Sequence, residues 1–130
     1  GELRFVEAAS LEPVGNPIAA HARAIDTIAF SANGARVATA SFDGEVALWD
    51  VAGRRRLATF STGLDPGIGE MSLAFSPDGR TLAVAGANAS IAVGGVGIRL
   101  WDLSGGRPRQ GALLPHDRGV IDATFSADGA

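Results

Sequence analysis

The chain has 130 residues, a net charge of −3 and no cysteine. This length suffices for one hydrophobic core, and the absence of cysteine excludes disulfide bonds and thiolate metal sites. All 11 basic residues are arginines, and only Arg54–Arg56 are contiguous. We expect a solvated turn there and no nucleic-acid partner. No apolar run reaches the roughly 18–20 residues of a membrane-spanning helix, so we also expect no membrane segment.

The first segment, residues 3–20, has the pattern of the end of a repeated unit. The run from Leu3 to Glu7 resembles a later run that ends at Trp49 and Asp50, with Val6 in the place of the tryptophan. We interpret this segment as the last two strands of a unit, and Gly1 as the boundary of a fragment.

Residues 21–62 contain one complete unit with a β pattern. Its strands are short runs with alternating apolar residues, as β-sheets require, and the last run is weaker. The dipeptides Asn33-Gly34 and Asp43-Gly44 supply the positive-φ positions of tight hairpins. The predicted strands are Ile28–Phe30, Val37–Ala40, Val46–Trp49 and Arg56–Phe60.

Residues 66–114 repeat this unit in a longer form, and residues 117–126 have the pattern of the first strand of another. Phe30 and Trp49 are 19 residues apart, whereas Phe75 and Trp101 are 26 apart. The additional residues fall near 88–97, which are rich in glycine. We do not interpret them as a phosphate loop, because no Lys-Ser/Thr pair and no strand-to-helix context accompanies them.

The unexpanded period is 43 residues, since Val6 precedes Phe30 by 24 and Phe30 precedes Trp49 by 19. Four short antiparallel strands per period, with an Asp-Gly turn and a Trp-Asp ending, resemble one blade of a WD-repeat β-propeller. The resemblance implies an all-β fold with two full four-stranded blades and parts of two others. A closed propeller has at least about four blades. We therefore expect the remaining blades to come from the rest of a longer chain or from another copy.

The resemblance also implies a structural role for both histidines. In this family a His before the first strand, a Ser or Thr in the second, an Asp in the next turn and the Trp of the third form a hydrogen-bonded relay. Two histidines without a carboxylate at ligand spacing make a poor metal site or general base. We therefore expect no catalytic residue, cofactor or metal. The relay positions are occupied here by His21, Thr39, Asp43 and Trp49, and in later units by Trp101 and His116.

The longer unit departs from the relay pattern. Pro66 stands where the histidine is expected, and Val84 stands at the position of Thr39. Only Trp101 keeps its residue type, so we expect this blade to be held less rigidly.

The insertion in the longer unit is the candidate partner-binding element. The relay implies that it lies on the same face as a two-residue insertion near 64–67, and loops on a rigid scaffold often carry recognition. The alternative is that the second and third strands are simply longer and pair with each other. The candidate contact residues are Asn88, Ile91, Val93 and Val96.

These observations favour a non-catalytic scaffold that binds a protein or peptide. The chain is similar to the WD-repeat arms of bacterial cytoplasmic regulators, which are fused to STAND-type ATPase domains or kinases. One alternative is a propeller enzyme with its site in the central channel, where Asp26 and Asp122 are the candidate acids. Another is an excised or designed fragment without a native partner.

Overall fold

The computed structural model describes residues 1–63, 70–86, 97–116 and 119–129. These ranges contain ten strands and no helix, and therefore no helix that is long and apolar enough to cross a membrane. The strands are β1 (Glu2–Leu3), β2 (Ile18–Ala19), β3 (Ile25–Phe30), β4 (Arg36–Ser41), β5 (Glu45–Asp50), β6 (Arg55–Ser61), β7 (Met71–Phe75), β8 (Thr81–Gly86), β9 (Gly97–Asp102) and β10 (Arg109–Pro115).

The strands form three antiparallel sheets, which contain β1–β2, β3–β6 and β7–β10. In both larger sheets the strands follow one another in chain order, as a meander of short hairpins. The predicted all-β fold of four-stranded antiparallel blades is confirmed.

The same type of turn, which begins with a serine, follows the first strand position of three successive units. In each copy a serine hydroxyl donates to an Asn or Asp side chain two residues later, and a glycine in the left-handed region closes the turn. The glycine N–H donates back to the serine carbonyl at 2.8–2.9 Å. The three turns are Ser31–Gly34, Ser76–Gly79 and Ser126–Gly129.

The two larger sheets have the same register. Val37 pairs with Phe30 on one side and Trp49 on the other, and Leu82 pairs in the same way with Phe75 and Trp101. The register therefore places Val84 at the position of Thr39.

The small sheet corresponds to the outer half of a larger one. The Ala20 N–H donates to Gly1 O, as the Thr62 N–H donates to Gly44 O, so β1 and β2 match β5 and β6. The isolated bridge between Val6 and Pro13 then falls where Trp49 pairs with Arg56.

Two apolar clusters lie between the sheets. The larger joins the two four-stranded sheets through small residues of β4, such as Ala38 and Ala40, and large residues opposite, such as Leu73 and Trp101. The smaller packs Leu3 of β1 against Trp49. Each larger sheet therefore presents apolar side chains to its neighbour, as stacked blades require.

The segment predicted as a further first strand differs from expectation. Among its described residues, 119–126, no strand is formed, and one backbone bond, from Val120 N to Gly86 O at 3.3 Å, joins it to the sheet of β7–β10. In both complete sheets the first strand forms its ladder with the second strand. The described chain offers no second strand to this segment, which explains the missing ladder.

Except for Gly97, which begins β9, both predicted insertions lie outside the described residues. This applies to the segment near 64–67, to Pro66, and to the four candidate contact residues at 88, 91, 93 and 96.

Candidate functional site

The first larger sheet brings the four predicted relay residues together. Trp49 Nε1 donates to Thr39 Oγ1 at 3.0 Å, and His21 Nε2 lies 2.8 Å from the same oxygen. His21 Nδ1 lies 3.2 Å from Asp43 Oδ2. Thr39 and the His21 side chain are fully buried. The bonds connect β4, β5, the turn between them and the segment before β3.

One histidine tautomer satisfies every group of this relay, and we assign it from the network. Trp49 donates to the Thr39 oxygen, so the Thr39 hydroxyl proton is free to donate to His21 Nε2. His21 Nδ1–H then donates to Asp43. Both ring nitrogens are occupied, which leaves neither to act as a base or a metal ligand.

The Asp43 carboxylate is held in its ionised form by its surroundings. Burial alone raises the pKa of Asp43, but the Glu45 N–H, the nearby His21 and the Ala22 N–H together lower it below its ordinary value. The two backbone bonds are each 3.0 Å long. Asp43 therefore anchors the histidine and closes the turn as an anion.

A further contact to Trp49, made by Arg56, is not predicted by the sequence. The sequence predicts Arg56 both at the end of a solvated arginine turn and at the start of the fourth strand. It lies in β6, and its side chain is not simply solvated, because its guanidinium is 4.8 Å from the Trp49 ring centroid. The same guanidinium donates to the carbonyls of Ala19 and Ala20, at 3.1 and 2.6 Å. An arginine on the strand after a Trp-Asp ending was the available signal, and the run of three arginines obscured it.

The described part of the second larger sheet contains no relay. Trp101 Nε1 is buried and has no hydrogen-bond partner among the described residues, and Val84 offers no oxygen at the Thr39 position. Instead the Trp101 ring contacts Phe60 of the neighbouring sheet, with centroids 4.2 Å apart and planes tilted by 40°. Within the described ranges, this tryptophan is held by packing.

His116 is not brought into a relay within the described chain. It is exposed and lies just after β10. The residue matching Thr39, 18 positions after the histidine, would fall beyond position 130.

The acidic residues near the relay and the inner strands make structural bonds. His21, Asp43 and Glu45 place one potential ligand atom each within 4.8 Å of one another, but the His21 nitrogens and the Asp43 oxygens already make the bonds of the relay. Asp26 accepts from Met71 N, and Asp122 accepts from the Ser72 hydroxyl at 2.7 Å. Both acids that were candidates for a channel site thus link neighbouring inner segments.

The two four-stranded sheets have the same register, and each has a tryptophan on its third strand. They are therefore successive copies of one repeat. A family model for the WD40 domain, the G-beta repeat, matches residues 12–50 and again residues 56–93. The chain belongs to the WD40 family. No curated protein sequence matches it. The first match begins before β2 and ends with β5, and the second begins within β6 and includes β7 and β8, so the sequence repeat is offset from the sheet. β2, for example, falls within the first WD40 match but pairs with β1.

Proposed function

We propose that this WD40 chain is a non-catalytic scaffold that binds a protein or peptide. WD40 repeats are in general scaffolds for protein interactions. The observation that carries the proposal is the structural role of side chains that could act as acids or bases. His21 and Asp43 make hydrogen bonds that stabilise one sheet, and Asp26 and Asp122 join neighbouring segments. These four groups join neighbouring segments through hydrogen bonds, so they are not free to act as acid–base pairs.

The finer proposal is a role as the interaction arm of a larger bacterial, cytoplasmic regulatory or sensor protein. The resemblance of the sequence to the arms of such regulators supports it, and fold alone does not.

The proposed contact element is the insertion at 88–97. It connects β8 to β9, which end and begin at Gly86 and Gly97. Gly86 pairs with Met71 as Ser41 pairs with Ile25, so the insertion leaves the sheet at the relay end. Its apolar residues Ile91, Val93 and Val96 support a partner contact.

The test is deletion of residues 89–96 with closure by a two-residue turn. A protein that co-purifies with the intact chain is first identified, and its affinity is then measured by calorimetry. We expect the deletion to abolish binding without changing the unfolding temperature, while Arg4→Thr on the β1 sheet leaves affinity unchanged.

Full affinity in the deleted chain, or collapse of its fold, would contradict the contact element. Stoichiometric zinc or iron in the purified protein, or a turnover that is lost in His116→Ala, would contradict the absence of catalysis.

A further inference from the structure

A groove lies between the two larger sheets at the end opposite the relay. It has an apolar part of about 230 Å³ and a polar part of about 340 Å³, and both parts are lined by Arg36 and Leu103. We call it the Arg36 groove. The apolar part is completed by Leu48, Leu57 and Pro108, and the polar part includes Asp78 and Arg80.

The apolar part depends on an irregularity in β6. Leu48 pairs with Ala58, and Trp49 pairs with Arg56, so Leu57 is an additional residue without a partner on β5. A bulge of this kind re-aims a side chain, and Leu57 is 39% exposed while Leu48 and Leu103 are buried beneath. The apolar part of the groove therefore has a buried base of Leu48 and Leu103 and one exposed aliphatic wall, Leu57.

The groove is specific to this sheet pair and is not a property of every repeat. The β9–β10 ladder has an irregularity at the same place, but Gly111 stands where Leu57 does. Thr81, which pairs with Asp102, stands where Arg36 pairs with Asp50. The second sheet thus lacks both the aliphatic wall and the cation.

The charges of the groove are unbalanced in favour of cations. Within the described ranges, neither Arg36 nor Arg80 has a carboxylate at ion-pair distance. Asp78 is the acidic residue of the lining, and its pKa is lowered by bonds from the Ser76 hydroxyl and the Arg80 N–H, so it is already engaged. Two guanidinium groups, of which that of Arg80 also attracts Asp78 electrostatically, therefore line the groove beside one carboxylate that already accepts two bonds, in a chain whose net charge is −3.

We propose that the Arg36 groove binds an extended peptide segment in which an aliphatic residue is followed by Asp or Glu. The aliphatic side chain enters beside Leu57, and the carboxylate pairs with Arg36 and Arg80, since guanidinium groups suit carboxylates.

The open shape and the edge of the groove favour a peptide over a small molecule. Small-molecule sites usually bury most of the ligand, whereas both parts of this groove are open to solvent. β6 is also the edge strand of its sheet, which is where extended peptides add. The groove lies at the end of the sheets opposite the relay, whereas β8 ends and β9 begins at the relay end, so the inference goes beyond the function proposed above.

The probe is a ten-residue synthetic peptide with a Leu-Asp-Ile-Asp core between Gly-Ser flanks. Binding is followed by amide and arginine side-chain NMR shifts of the whole chain. We expect shifts at Arg36, Leu57, Arg80 and Leu103, and an affinity that falls with added salt. Companion peptides with Lys for Asp, or Ala for Leu and Ile, should not bind.

Two substitutions give the first larger sheet the residue that the second larger sheet has at the same position. Arg36→Thr and Leu57→Gly should each weaken peptide binding by about tenfold, the loss expected for one charge-assisted bond or a few buried methylenes. Arg4→Thr and deletion of 89–96 should leave it unchanged, so failure here is distinct from failure of the insertion as a contact element. Equal binding of the Lys peptide, shifts elsewhere, or unchanged affinity in folded Arg36→Thr and Leu57→Gly would overturn the proposal.

Discussion

One hydroxyl group distinguishes the surroundings of the two tryptophans. Trp49 donates to Thr39, whereas Trp101 faces Val84 and its indole N–H has no partner in the described chain. Both tryptophans are almost completely buried. The same ring at the same register position is thus held by a polar network in one sheet and by aromatic packing in the other.

Removing that hydroxyl from the relay should be costly. We expect Thr39→Val to lower the free energy of unfolding by about 2 kcal/mol, because it leaves the Trp49 N–H and His21 Nε2 without a partner. The matched exchange, Val84→Thr, gives Trp101 an acceptor but buries a new hydroxyl. It should therefore change the free energy by less than about 1 kcal/mol in either direction. Urea unfolding of both variants measures the difference, and equal losses would argue against the relay.

The ionisation of Asp43 makes part of the stability depend on pH. Its pKa is lowered in the folded chain, so its contribution is fully present above the unfolded value and is lost as pH falls through the folded value. We expect Asp43→Ala to cost about 1–3 kcal/mol near neutral pH, and less below about pH 4. Urea unfolding over this pH range, with Glu7→Gln as an exposed control, tests it. A cost that stays constant down to low pH would contradict an ionised Asp43.

Sequence predicted the relay residues because their types and spacing match a family pattern. It did not predict the role of Arg56, because that role depends on two carbonyls at and just after the end of β2, 37 and 36 residues earlier in the chain. Contacts between distant segments have no local signal.

The described strands carry three irregularities that no alternation of apolar residues indicates. Two are bulges between a third and a fourth strand, next to the tryptophan pair, and one lies between β3 and β4. Sequence predicted the four strands of each unit, because alternation and Asx-Gly turns repeat. It could not predict the bulges, since one additional residue does not change composition. The Arg36 groove exists because the first bulge carries a leucine.

A single glycine sets the spacing of the last hairpin. Gly97 pairs with Pro115, and a Cβ at Gly97 would lie 2.1 Å from the carbonyl oxygen of Leu114. Backbone must move to admit it, so we expect Gly97→Ala to lower the free energy of unfolding by about 1–3 kcal/mol. Gly106→Ala is the control, because a Cβ there meets nothing within 4 Å, and it should cost less than about 0.5 kcal/mol. Equal stability of the two variants in urea unfolding would show that β9 and β10 separate easily.

At the scale of the whole molecule, the sheets depend on their neighbours. The larger cluster places small alanines of one sheet against large side chains of the next, so neither sheet buries its apolar face alone. Phe30 shows the consequence, since it is 60% exposed while Phe75, at the same register position, packs against the cluster. Sequence predicted the stacking from the period, but not which side chains cross each interface.

Arg56 is a side chain that couples two sheets directly. It stacks on Trp49 in one sheet and donates to two carbonyls beside β2 in the other. We expect Arg56→Met, which keeps an apolar stem, to reduce hydrogen-exchange protection of the Ala20 and His21 amides by about tenfold, the size of one cation–π contact and its bonds. Amides of β8 should change less, because they pack on the opposite interface.

Arg55→Met is the matched control, since the neighbouring side chain makes neither the ring contact nor the carbonyl bonds of Arg56. If both variants loosen Ala20 equally, or if protection falls uniformly over the chain, Arg56 is not the coupling residue. A loss of protection confined to Ala20 and His21 would instead show that Arg56 contributes more than the two-residue β1–β2 ladder to holding these strands against the next sheet. That result would identify a unit that opens before the rest of the molecule.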